Sequence, residues 1–332
     1  MKYINTIILA VVTLLMASVV TAKTVVYVPL GTANQVVAID ATNDTIIATY
    51  TGIDNPHGLV ATPDGEYLIA GSLKEVPIKE GQDKNTANST LSLIHPAHGH
   101  VMSTIDVQGW THHQAITPDG DYVISTHPVR GGVSVADVTS NKVIKTIQTG
   151  PSPNYTVIHP DGEYAYVTNS GNGTITEISL SNWTVVRSFE SGPAPEHMVL
   201  SKDSSTLYVT NPRAGMVSSI SIEKGKVIDS WVVGDTLHGL DIGDDGKTLF
   251  ISSKKGDKLS ALDAETGNVI KEITLSPAPY HLNTITGTGK VYVSSRKEPK
   301  IWVVEQKTLN VIGEIKLPAG EGHQMAVVIY DE

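Results

Sequence analysis

Seven histidines in this 332-residue chain are set apart by where they fall rather than by their closeness in sequence: His57, His112, His113, His197, His238, His281 and His323. Each opens a short apolar stretch, and Tyr155 occupies the same place in a stretch that lacks histidine. The local wording repeats, with Pro-Ala-Pro-x-His at 193–197 and 277–281 and Pro-Ser-Pro-x-Tyr at 151–155. Neutral imidazoles are nitrogen donors suited to copper first, then to zinc, iron or nickel. Seven of them exceed what one tetrahedral ion needs, so the set implies several metal ions or a larger cofactor. The adjacent pair His112–His113 adds to that, because a histidine kept only for inter-strand bonding is needed once per repeat.

The elements that must position these residues are repeats. The clearest copy, at 155–190, reads YTVIHPDGEYAYVTNSGNGTITEISLSNWTVVRSFE: strand, PDG turn, strand, tight turn, strand, Asn-rich turn, strand. No sustained helical periodicity is present. Four strands in about 42 residues predict a β-propeller blade. Innermost strands begin near 57, 113, 155, 197, 238, 281 and 323, which predicts an all-β, seven-bladed β-propeller over residues 23–332. The last start leaves room for one strand only. The segment HQMAVVIYDE is therefore expected to complete the blade begun by VVYVPLG, removing an open sheet edge. The first blade carries about 14 extra residues, LKEVPIKEGQDKNTANST, between its second and third strands. Polar loops of that length are often functional.

Residues 1–22 differ from the rest: Lys2, an apolar run from Ile7 to Val20, then Val20-Thr21-Ala22. They read as a cleavable signal peptide, giving a periplasmic or secreted protein with no membrane segment after cleavage. The absence of cysteine excludes disulfides, thiolate metal sites and CxxCH haem attachment. A net charge of −10 argues against nucleic acid as a partner.

In a propeller the innermost strands line the channel, so their first residues form a ring at one mouth. Second strands run back to that face. This places His127 there, aligned with Asn169 and Asn211, together with Lys254, Arg296 and, from the insertion, Lys74, Glu75 and Lys79. The cations favour a small anionic substrate, and His127, Lys74, Lys254, Arg296 and Tyr155 are the residues expected to serve it. Glu196 and Glu321, each beside a ring histidine, are candidates to orient imidazoles. Trp110 and Tyr280 flank the ring as packing residues. His95, His98, His100 and His159 fall on outer or opposite turns and read as surface residues. No phosphate loop, GxSxG elbow or HExxH pattern occurs.

The repeats, with YVTN at 166–169 and 208–211, resemble the YVTN-repeat propellers, a likeness that speaks to fold rather than activity. The histidine set resembles that of nitrous oxide reductase, a propeller whose axial copper cluster is held by seven histidines, including an adjacent pair. It is also similar to that of thiocyanate dehydrogenase, another copper propeller. These resemblances imply a multinuclear copper site, a copper-dependent oxidoreductase and a separate periplasmic electron carrier, because no second redox domain is encoded. The chain departs in having no cupredoxin domain and in carrying its doublet in the second blade, which argues against nitrous oxide as substrate. Two alternatives stand beside this reading. One is a non-catalytic propeller binding a protein partner or a haem d1-like tetrapyrrole at the same mouth. In the other, histidines serve only inter-strand bonding. A further class, a lactonase-like hydrolase with one divalent ion, would expect carboxylate and Asn ligands rather than imidazoles.

Overall fold

The computed structural model describes residues 22–83 and 86–330; residues 1–21 of the expected leader lie outside the described residues. Seven four-stranded antiparallel sheets form the ring, as the repeat predicts. Numbering by ring position, blade I spans 56–107, blade II 114–148, blade III 153–190, blade IV 198–232, blade V 237–274 and blade VI 279–316. Blade VII joins the two ends of the chain: Ala326–Tyr330 is its innermost strand and pairs antiparallel with Lys23–Leu30.

Local chemistry sets each strand and turn. In the Thr62–Gly65 turn, Thr62 Oγ1 donates to Asp64 Oδ1 at 2.6 Å, and Gly65 takes a φ of +70°. That left-handed backbone favours glycine, and the same Thr–Asp bond recurs between Thr117 and Asp119. The strands that follow are rich in Val, Ile and Tyr and bury both faces, since each blade is packed between two others. Blades VI and VII, for instance, interleave Tyr292, Ile301 and Val303 with Val26, Val28 and Leu30. Lys290 of blade VI reaches the Asp44 carboxylate of blade VII at 2.8 Å, with the Tyr292 hydroxyl on the same group.

Each outermost strand carries a bulge at one equivalent place. The extra residue is apolar in every blade: Ile47, Met102, Ile144, Val186, Ile228, Ile270 and Ile312. A bulge interrupts the row of unpaired backbone groups that an outer strand would otherwise offer to another sheet.

The insertion replaces the turn between the second and third strands of blade I, Leu68–Ser72 and Ser89–His95, as expected from its position.

Candidate metal centre

The propeller gathers the seven histidines onto its axis. His57 lies 4.1 Å from His323, 4.5 Å from His112 and 5.0 Å from His113, ring centre to ring centre. His197 lies 4.9 Å from His113, 5.0 Å from His281 and 4.5 Å from His238. All but His112 are buried. His112, with Trp110 edge-on at 5.8 Å, stays partly open at the mouth. The doublet can point both rings inward because neither residue belongs to the innermost strand, which starts at Gln114.

Donor atoms converge in three groups, each with its nitrogens within 4.8 Å of one another: His57–His281–His323, His57–His112–His113 and His113–His197–His281. His57, His113 and His281 are each shared by two groups, so the three sites adjoin. His238 stands beside them, its Nε2 3.3 Å from His281 Nε2.

Neighbours fix how several of these rings point. His113 Nδ1 lies 2.9 Å from the Asn154 carbonyl. A carbonyl only accepts, so Nδ1 carries the hydrogen and Nε2 keeps a free lone pair. His323 Nε2 sits 3.5 Å from Glu321, leaving Nδ1 as its donor atom. Gly31 permits that approach, since a Cβ there would lie 2.9 Å from His323 Nε2. The same contact holds the Glu321 carboxyl down at about 2.

Among the described residues, six buried nitrogens of these axial rings have no partner: both of His57, Nδ1 of His112 and His323, and Nε2 of His113 and His197. Each unpaired buried polar atom costs about 1–3 kcal/mol. Together they rival the whole net stability of a domain, about 5–15 kcal/mol. Burial, reinforced by neighbouring rings, drives the pKa values of His57, His113 and His281 well below the usual imidazole range, so they are neutral donors. Clustered, neutral, imidazole-only and unsatisfied, the set fits a group of metal ions.

The floor of this cage is built by Tyr155, expected at the site, and by two glutamines that the sequence alone does not single out. Gln324 extends from blade VII past blade I to blade II. Its Oε1 accepts from Gln114 N at 3.1 Å and its Nε2 donates to Gln114 O at 2.9 Å. Its amide N donates to His57 O at 3.2 Å. The Gln114 side chain fills a slot beside Gly58 and Gly71, where any Cβ would lie 1.9 Å and 2.1 Å from it. Tyr155 stacks on His197 at 4.7 Å, and its hydroxyl bonds to Gln324. Glutamine directly after a ring histidine, twice, was the available signal.

At the mouth, Tyr280 lies flat on His238, 4.1 Å away at 9°. Lys254 Nζ and the Arg296 guanidinium each stand 5.2 Å from the Tyr280 ring. Burial pushes the Tyr280 hydroxyl up to about 12. Lys254 Nζ and Glu196 Oε2 both approach His238 Nδ1 at 3.3 Å. Burial lowers the Lys254 pKa and raises that of Glu196. Arg296 pairs with Glu321 at 2.6 Å. Glu196 and Glu321 thus both touch ring histidines and balance part of the cationic charge.

Two expected substrate residues are placed otherwise. His127 is committed to its own blade: Nδ1 faces the carbonyls of Gly109 and Trp110 at 3.2 and 3.3 Å, and Nε2 meets Ser134 Oγ at 2.8 Å. Asn169 makes the matching bond to Thr176 and Asn211 to Ser218, so His127 fills a structural position. Burial lowers its pKa to about 4. Lys74 is held by Asp54 at 2.8 Å on the exposed surface.

His95, His98, His100 and His159 lie away from the axis. His95 and His98 stack on each other at 4.0 Å, and His159 pairs with Asp161 at 2.7 Å.

No protein-family model matches the chain. No curated protein matches it. Solved structures do. A putative 6-phosphogluconolactonase from Bacteroides uniformis aligns over 92% of this chain and 99% of its own, at 16% identity and a TM-score of 0.76. Hydrazine synthase from Kuenenia stuttgartiensis aligns over 77% of this chain and 78% of its own, at 22% identity and a TM-score of 0.62. Dihydro-heme d1 dehydrogenase NirN, in complex with DHE, aligns over 89% of this chain and 64% of its own, at 15% identity and a TM-score of 0.68. What they share with this chain is the propeller.

Proposed function

We propose that the protein is an exported metal-binding propeller whose axial cage holds a multinuclear copper centre, serving oxidation or reduction of a small anion. The observation that carries this is the three adjoining trihistidine groups with their unsatisfied lone pairs. Bound copper would supply the means to store and pass electrons. The chain's residues supply the rest. The Asn154 carbonyl and Glu321 aim His113 and His323, and Gln324 and Tyr155 floor the cage so that a reactant comes from the His112 side. Lys254 and Arg296, braced on Tyr280, form the cationic rim at which an anion is held. A separate electron carrier completes the turnover. Export rests on the leader over residues 1–22; among the described residues no helix is long and apolar enough to cross a membrane.

A second reading is favoured by one neighbour: a tetrapyrrole seated over the mouth, between the Trp110 and Tyr280 flanks. That neighbour is dihydro-heme d1 dehydrogenase NirN in complex with DHE. The ring spacings within the cage leave no slot for a macrocycle, so that ligand would sit on the rim.

Elemental analysis and a visible spectrum of protein recovered after export separate the two. Two or more coppers per chain is the expected result. A tetrapyrrole band without copper would transfer the case to the second reading, and a metal-free, colourless protein that rejects added Cu(II) would end both.

A further inference from the structure

The insertion in blade I and the histidine doublet of blade II are neighbours in space. In the regular blades, the chain approaching the next innermost strand is held by the carbonyl of the preceding tight turn. Gly131 O accepts from Thr149 and Gly150, Gly173 O from Ser191, and Gly215 O from Val233 and Gly234. Asp257 O and Pro299 O do the same for Leu275 and Leu317. Blade I has no such turn, because the insertion occupies its place.

Side chains and backbone from the stem of the insertion substitute for it. Asn88 Oδ1 accepts from Gly109 N at 2.7 Å, Glu75 Oε1 from Trp110 N at 2.8 Å, and Ser72 O from Thr111 N at 2.8 Å. Three consecutive amides, ending one residue before His112, are thereby pinned to the stem. The stem is itself tied, since Val76 N donates to Asn88 O at 2.7 Å and Asn88 Nδ2 to Val76 O at 3.2 Å. Gly109 accommodates the arrangement: its φ is +81°, and a Cβ there would come within 3.1 Å of Glu75 Oε1.

We infer that Glu75 and Asn88 are positioning residues for the histidine doublet. They fix the chain at Gly109–Trp110 so that His112 and His113 can both turn inward and complete the His57–His112–His113 group. The extra histidine of blade II and the extra chain of blade I are then one device. A doublet needs an approach path displaced from that of the other blades, and a backbone turn cannot supply it. The stem does so with an acceptor of the right reach at each of the three amides. A carbonyl acceptor serves as well as a carboxylate here, which separates Glu75 from a purely electrostatic role.

This rests on the copper reading for its consequence but not for its geometry, so the test has two arms. In the metal-free protein, Glu75→Ala combined with Asn88→Ala should speed amide exchange at Gly109 and Trp110 by tenfold or more. It should also shift the ring resonances of His112 and His113 while those of His238 stay put. Glu75→Gln alone should leave both near wild type. With added Cu(II), the double variant should take up fewer ions than wild type, losing the share held by the His112 group, and Glu75→Gln should restore full uptake. Unchanged doublet resonances in the metal-free double variant would overturn the inference whatever the copper result. Shifted resonances in a protein whose wild type rejects Cu(II) would uphold the positioning role and refute the copper reading.

Discussion

The axis and the outer edge of this propeller both collect histidines, and they do so in opposite ways. At the outer edge, His95, His98 and His100 are close in sequence and stack on one another; His100 Nδ1 meets His98 O at 2.9 Å, and one ring nitrogen of the three, His95 Nδ1, is buried without a partner. At the axis, the seven are scattered along the chain, converge in space and leave six ring nitrogens unsatisfied. Density in sequence therefore marked the region with less chemistry. What distinguishes a site is the number of donors left without partners once the fold has formed.

That contrast can be broken most directly by substituting the histidines shared between groups. His57→Ala with His281→Ala removes a donor from every trihistidine group. Bound metal should fall to near zero with the β-sheet circular dichroism unchanged, whereas His98→Ala with His100→Ala should leave metal content as it was. Equal losses from the two pairs would erase the distinction.

The next largest effect is on pH. The ring histidines and His127 have folded pKa values below the ordinary imidazole value of about 6.5, so the unfolded chain binds protons that the folded chain refuses. Stability of the metal-free protein is therefore greatest above about pH 6.5 and falls as pH drops below it, more steeply the more of these histidines titrate together. Denaturant titrations across that window should show the slope, and the double axial variant should flatten it.

Gln324→Leu should cost about 1–3 kcal/mol, because it strands the Gln114 amide and carbonyl in a buried floor. It should also speed removal of bound metal by a chelator. His57→Leu runs the other way: with two orphan nitrogens removed, the metal-free chain should gain about 1 kcal/mol while losing metal. The smallest change belongs to the surface turn of blade III, where His159→Gln should stay within about 0.5 kcal/mol of wild type.

The fold was legible because a propeller writes its period into the chain. The PDG turns, the YVTN ends of second strands and the leftover strand at 326–330 all follow from blade geometry. The positions of the ring histidines were legible for the same reason. Of their partners, Glu196 and Glu321 were legible because each neighbours a ring histidine in sequence; the others were not. Gln324 reaches a blade two places round the ring, and no local pattern encodes that distance. Glu75 and Asn88 lie in a stretch that reads only as polar loop. The alignment of His127 with Asn169 and Asn211 gives its face of the ring but not the direction of its side chain. The more telling fact was the Ser or Thr seven residues on from each, which shows the side chain turned toward its own blade. For Lys74, Lys254 and Arg296, strand direction gave the face, but which cation finds a carboxylate depends on side-chain reach.

Blade VII has a further consequence. His323 is delivered by the same end of the chain that docks onto Lys23–Leu30, with His323 N donating to Pro29 O at 3.1 Å. The seventh imidazole thus takes its place only when head meets tail. Ring closure and completion of the histidine cage are therefore a single event, settled when the last strand docks onto the first.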